Sequence, residues 1–168
     1  GTYTYANGDI IKGSFINDFL EGYGTFISND GDTYHGYFKH DMLHGDGKFI
    51  FSNGKYFKGH FIENSFHGKG FLQDENGNKY SGNFQFGTFN GKGKYIYQDG
   101  RQYTGNWNKN LKHGFGIYEW PDGDIYEGFW YNGKRNGKGI KKKGNIQKEV
   151  IYKNNKKISE KIILTPSR

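Results

Sequence analysis

The sequence holds no cysteine, which excludes a disulfide framework and any thiolate metal site and leans the protein toward an intracellular, cytoplasmic setting. Hydrophobic residues make up only 33% of it and the mean hydropathy is −0.96, too little aliphatic material for a conventional layered globule. No apolar run approaches the length that spans a bilayer as a helix, and the first residues lack the pattern of a signal peptide. No Gly-x-Gly pair continues as Gly-x-Gly-x-x-Gly or leads into a P-loop with Gly-Lys-Ser/Thr, so no phosphate cradle is expected. The carboxylates are scattered through turn segments, and no nucleophile, base and orienting group converge on one cleft. Neither an enzyme nor a cofactor is read from this chain.

What the sequence does hold is rings and glycines. Aromatic residues reach 19%, far more than a disordered chain carries. Of the 28 glycines, 25 fall on four ladders with a fixed step of 23 residues, for example Gly13, Gly36, Gly59, Gly82, Gly105 and Gly128. A constant period in this range, unbroken by insertion, is the mark of a stacked repeat array, in which each unit needs only its neighbours.

Every copy carries an Asn-Gly or Asp-Gly pair, from Asn7-Gly8 to Asp122-Gly123, and the pairs predict tight type I′ hairpin turns. A second turn per repeat falls around Asp18, Asp41, Asn64, Gly87, Asn110 and Gly133, the residue types that enter the left-handed region most readily. Two turns per repeat leave two short strands, each about five to seven residues long. In the first strand, ring, glycine and ring alternate, as in Tyr34, Gly36, Phe38 and Tyr103, Gly105, Trp107. Period-two alternation puts them on one face, where a ring laid flat across its neighbour needs a residue without Cβ beneath it. The opposite face carries mixed residues and reads as wetter. The expected fold is all-β: an elongated, single-layer antiparallel sheet of stacked hairpins, a rod on the order of 60 Å long at about 4.8 Å per strand.

A unit reading Tyr-x-Gly-x-Trp/Phe, Gly-x-Gly and Asp/Asn-Gly, as in "YEGFWYNGKRNGKG" from Tyr126 to Gly139, resembles the MORN repeat (membrane occupation and recognition nexus). The resemblance covers residues 1–144, about six repeats with the first truncated, and departs from the pattern at Ile11 and Phe57. Residues 145–168 read as a degenerate capping repeat and basic tail, with Val150 and Ile151 near the positions of Phe129 and Trp130 and the last stretch either a strand or a short helix. The chain begins in the middle of a repeat and so reads as a piece of a longer protein. Its Asn- and Lys-rich wording is similar to that of apicomplexan proteins. The family implies a scaffold or adaptor, of cytoskeletal structures or the inner face of a membrane, that holds a partner's helix or peptide in an aromatic groove. Carried onto this chain, the groove comprises Tyr34, Phe38, Phe57, Phe61, Tyr80, Phe84, Tyr103, Trp107, Tyr126 and Trp130. The family also implies two other roles: a peripheral membrane module, and the regulatory arm of a larger enzyme.

The net charge of +7 is uneven. From Lys134 to Arg168 twelve Lys and Arg face only Glu149 and Glu160. Within that end, Lys138, Lys141, Lys142 and Lys143 form the candidate contact for anionic phospholipid or an acidic partner. The basic end lacks the interleaved rings of a single-stranded nucleic-acid surface, so nucleic acid is not an expected partner. His44, His67 and His113 share one repeat position, roughly 9.6 Å apart between adjacent copies, too far to share a metal. An open ribbon with an apolar face also leaves room for a homodimer.

Overall fold

The computed structural model describes residues 1–163, and the chain divides into two compact units. The first, Gly1–Thr88, holds β1 (Thr2–Thr4), β2 (Ile10–Ile16), β3 (Phe19–Ile27), β4 (Thr33–Lys39), β5 (Met42–Ile50), β6 (Tyr56–Ile62), β7 (Ser65–Gln73) and β8 (Lys79–Gln85). The second, from Phe89 on, holds β9 (Thr88–Ile96, entered at its second residue), β10 (Gln102–Asn108), β11 (Leu111–Glu119), β12 (Ile125–Tyr131), β13 (Lys134–Lys143), β14 (Ile146–Lys153) and β15 (Lys156–Ile163). Within each unit the strands follow chain order and every neighbouring pair is antiparallel. Among the described residues there is no helix. Each unit is one layer of hairpins.

The strands are longer than the five to seven residues expected, alternating between 7 and 9 from β2 to β12. The longer strands absorb a bulge. Gly45 turns to φ +73°, and across the hairpin the register slips between Gly36 and Phe38, so that His44, Gly45 and Asp46 on β5 face Tyr37 alone on β4.

The two corners of each repeat exchange the turn types read from the sequence. At the Asp-Gly corner only the glycine has positive φ, Gly31 at +94°. Gly31 N–H donates to Ser28 O at 3.1 Å, and Ser28 N–H to Asp32 O at 2.9 Å. That is a type I turn closed by a left-handed glycine, the three-residue hairpin loop. The type I′ geometry belongs to the other corner, where His40 and Asp41 have φ of 49° and 64°, and Glu63 and Asn64 of 46° and 65°.

A further interaction explains why that second corner favours Asp and Asn. Asp41 Oδ1 accepts the N–H of Leu20 at 2.6 Å, Asn64 Oδ1 that of Leu43 at 2.8 Å and Asn110 Oδ1 that of Phe89 at 2.8 Å. The side chain at each corner thus latches onto the preceding hairpin. Glycine serves at Gly87 and Gly133 with only its own N–H donated, to Phe66 O and Lys112 O. Asn64→Gly keeps the backbone conformation and loses one latch, and is expected to cost about 1 kcal/mol in urea unfolding; an unchanged midpoint would show that the bond contributes nothing.

The C-terminal tail forms the hairpin β14–β15 on the edge of β13, which selects strand over short helix as far as Ile163. Its register corrects the expected alignment by one residue. Tyr152, not Ile151, faces Gly137 as Trp130 faces Gly114, and Tyr152 is buried while Ile151 is exposed. Residues 164–168 of the expected tail lie outside the described residues.

Candidate partner-binding faces

The ring face is built on one steric unit. Tyr103 lies across Gly105 and Gly116, which are register partners on β10 and β11. A Cβ added to Gly116 would stand 2.3 Å from the Tyr103 hydroxyl oxygen and 2.5 Å from its ring carbons; one added to Gly105 would stand 2.7 Å from that oxygen. Tyr34 covers Gly36 and Gly47 in the same way, and Phe57 covers Gly59 and Gly70. The tyrosine hydroxyls donate to the carbonyl three residues on, Tyr34 to Tyr37, Tyr80 to Asn83, Tyr103 to Asn106 (each 2.9 Å) and Tyr126 to Phe129 (3.2 Å). Burial pushes the hydroxyls of Tyr34, Tyr80 and Tyr103 far up from the ordinary phenol value, and that of Tyr126 to about 12.

Two rings clamp each such ring edge-on. Tyr103 meets Trp107 of its own strand at 5.0 Å and Trp130 of the following repeat at 5.4 Å, with interplanar angles of 86° and 82°. Tyr34 meets Phe38 and Phe61 likewise, at 5.1 and 5.2 Å. Both indole N–H groups are satisfied by glycine carbonyls, Trp107 on Gly93 and Trp130 on Gly116.

In each unit the rings carried over as groove residues are core, Tyr34, Phe38, Phe57, Phe61, Tyr80 and Phe84 in the first and Tyr103, Trp107, Tyr126 and Trp130 in the second: Tyr34, Phe57, Phe61, Tyr103 and Tyr126 are 0% exposed, and the most open, Trp130, is 7% exposed. They are the floor of the face. What reaches solvent above them comes from the second strand of each hairpin, which period-two reasoning counted as glycine floor and rings without separating the two. In the first unit Leu43, Phe49, Phe51, Phe66 and Leu72 are part-buried. A groove of about 460 Å³ there is lined by Ile11, Phe26, Phe38, Leu43 and Phe49, with Tyr5, Asn7, Asp9, Asp41 and Asn64 at its polar rim.

In the second unit the equivalent positions change chemistry. Lys112 and Arg135 stand where Leu43 and Phe66 stand, and Lys141 where Phe49 and Leu72 stand. Lys112 Nζ lies over four rings, Tyr118 at 4.9 Å, Trp130 at 5.2 Å, Tyr97 at 5.4 Å and Tyr103 at 5.5 Å. Arg135 lies over Tyr152 at 4.3 Å and Tyr126 at 5.7 Å. Burial, with the Arg101 charge adding to it, lowers Lys112 from the ordinary lysine value to about 8.

The lysine run does not form a single patch. Lys141 is opposite Tyr126 on the ring face, while Lys142 is opposite Ile125 on the other face. Lys142 pairs with Glu127 at 2.8 Å and Lys143 with Asp124 at 3.2 Å; Lys138 is exposed. Farther on, Lys148 and Lys157 both bond Glu160, holding its carboxyl down to about 2. His67 and His113 each have a buried Nδ1 without a hydrogen-bond partner. Their rings lie 5.2 Å from Phe86 and Tyr131. Among the described residues no three His, Cys, Asp or Glu side chains gather as a metal set would.

The opposite face is less polar than expected. It exposes the edge-to-face pairs Tyr23–Tyr37, at 5.6 Å, and Phe115–Phe129, at 5.7 Å, each residue at least 44% exposed. The sequence held the signal in the 14-residue spacing of each pair, which places its members opposite each other on adjacent strands.

The sequence profile of the MORN repeat matches residues 1–10, 12–33, 34–56, 57–79, 80–100, 103–125 and 126–145. The chain belongs to the MORN-repeat family. The MORN profile ends at Asn145, while the β14–β15 hairpin continues the same pairing beyond it. No curated protein sequence matches this MORN chain. Among solved structures it is similar to the SAS-4 (dCPAP) TCP domain of Drosophila melanogaster, solved in complex with a proline-rich motif of Ana2 (dSTIL). The TM-score is 0.54 and the identity 13%, over 98% of this chain and 83% of that one. At that identity the likeness is one of fold. The TCP10 domain of Danio rerio CPAP, in complex with a peptide of STIL, also matches, with TM-score 0.35 and 13% identity over 95% of this chain and 77% of that one.

Proposed function

We propose that this MORN array is a non-enzymatic scaffold or adaptor that binds a helix or peptide of a partner protein on its ring face. The observation that carries the reading is the part-exposed apolar row Leu43, Phe49, Phe51, Phe66 and Leu72 above a floor of fully buried rings. No helix among the described residues covers that row. Contiguous apolar surface framed by polar residues is the kind that partners occupy. On the opposite face Phe115 and Phe129 line a smaller groove of about 320 Å³ with Ile140, Val150 and Ile151, against about 460 Å³ on the ring face of the first unit. The partner would rest on the second-strand side chains of the first unit, with that unit's buried rings supporting them from beneath. The SAS-4 TCP domain, which shares the fold and was solved with a proline-rich motif of Ana2, is consistent with this use of a hairpin array.

Because Trp107 and Trp130 are buried, replacing them reads stability, not contact. A cleaner variant is Phe51→Asp, since Asp74 already occupies the equivalent position one repeat on. Peptides selected from a random display library on the intact chain should lose binding to Phe51→Asp by about tenfold and keep it with Tyr37→Asp on the opposite face, both variants unfolding at the parental midpoint. Binding that survives Phe51→Asp and fails with Tyr37→Asp would move the site to the other face.

A further inference from the structure

From the change in chemistry across one repeat position we propose that the ring face of the second unit accepts an acidic peptide segment, whose carboxylates seat on Lys112 and Arg135. The proposal rests on the ring face being the partner-binding surface and names the partner's charge.

The repeat position in question runs Leu20, Leu43, Phe66, Phe89, Lys112, Arg135. Four apolar residues give way to two cations, though the strands around them are unchanged in register. Nothing about packing demands the change, because leucine fills the same place at Leu43. Lys112 has four aromatic faces beneath and around its ammonium, and among the described residues that ammonium has no hydrogen-bond or ion-pair partner. An ammonium taken from water into such a ring cage keeps its π contacts but lacks acceptors for its three N–H bonds. A carboxylate arriving from outside supplies them and meets a charge already partly desolvated, where attraction is strongest. Arg135 is similarly placed. Among the described residues its guanidinium bonds only neutral oxygens, those of Asn155 and Tyr152, and it retains donors for a fork-like pairing.

The charged groups around Lys112 leave the site cationic. The turn between β9 and β10 contributes Arg101 and Asp99, which pair with each other at 2.7 Å. β10 contributes Tyr103, β11 itself Tyr118, and the following hairpin Trp130 from β12 and Arg135 from β13. No carboxylate among the described residues is paired to Lys112. Lys112 and Arg135 lie two strands apart, roughly 10 Å, which matches acidic residues three apart on an extended segment or two turns apart on a helix. Both are recessed among rings, a setting that suits a side chain projecting from a peptide better than the flat surface of a bilayer.

The test uses the full chain and peptides selected on it from a random display library, then synthesised and titrated by fluorescence anisotropy. Selected sequences should be rich in Asp and Glu. Lys112→Leu, which reproduces the native Leu43, should weaken them about tenfold or more at low salt; Lys138→Gln on the opposite face should have little effect. A second readout separates this role from general charge. Affinity for the parent chain should fall as the pH rises past 8, where Lys112 begins to lose its proton, and Lys112→Arg should hold its affinity to pH 10. Selected peptides that are neutral and indifferent to Lys112→Leu, yet lost with Phe51→Asp, would overturn the acidic partner and leave the ring-face scaffold standing. Peptides indifferent to both variants, or none selected at all, would overturn both. Lys112-dependent binding to phosphatidylserine vesicles without peptide binding would make a lipid the occupant and refute the proposal.

Discussion

Tyr103→Ala is expected to lower the unfolding free energy of the second unit by about 3 to 5 kcal/mol, the range for removing a fully buried large ring. The side chain is 0% exposed, is clamped edge-on by Trp107 and Trp130, and donates its hydroxyl to Asn106 O at 2.9 Å. Its loss would open a cavity directly above two glycines, which have no side chain to fill it, so local collapse can recover little. Removing the ring also leaves the Asn106 carbonyl short of a donor and takes away one of the four rings under the Lys112 ammonium. Urea unfolding followed by tryptophan fluorescence reads the effect, since Trp107 and Trp130 both touch the deleted ring. A loss under about 1 kcal/mol would show that the ring is not core, and the buried-floor description would fail with it.

The complementary change, Gly116→Ala, is expected to destabilise by about 1 to 3 kcal/mol through overpacking. The new methyl would meet the Tyr103 hydroxyl oxygen at 2.3 Å and its ring carbons at 2.5 Å. The glycine has ordinary backbone angles, so the cost is steric and depends on the ring being there. That dependence gives the sharper test. In a Tyr103→Val background, Gly116→Ala should cost less than in the parent chain, and the double-mutant cycle should show coupling of about 1 kcal/mol or more. Additive costs would mean that ring and glycine are not a unit.

The chain itself contains a natural version of this cycle in its last hairpin. Lys148 faces Lys141 in the register that Tyr126 has to Tyr118, so the flat ring is missing there. Val150 then stands opposite Gly139, in the place of Gly128, and Glu160 is opposite Val150. Once the ring is gone, the glycines beneath it are gone as well.

The ring–glycine unit was legible in the sequence because it is a contact of fixed local spacing, repeated until chance is excluded. The repeat array, its hairpins and the position of both turns followed from the same ladders, while the family came from the resemblance of the motif wording between Tyr126 and Gly139. The turn types did not, because Asn-Gly and Asp-Gly serve two loop geometries, and the deciding variable is the strand overhang set by the bulge at Gly45 and its equivalents. Nor did the exposure of individual rings. Tyr34 and Phe49 lie on the same face and in the same period-two phase, yet only Tyr34 is fully buried. Which ring ends beneath depends on how it tilts across its neighbours, and alternation carries no information on tilt. The Lys141–Lys143 run likewise reads as one basic patch in one dimension, while strand alternation sends its middle member to the other face and Glu127 and Asp124 neutralise two of the three.

In each unit every ladder joins strands adjacent in the chain, which gives assembly a direction and a pace. No strand has to wait for a distant partner to be made, so each hairpin can dock on its predecessor as soon as it leaves the ribosome, with only short loop-closure searches along the way. A β protein of this pattern is expected to form at rates closer to those of a helical bundle than of a sandwich, and a chain halted in mid-synthesis would already carry a finished, usable face.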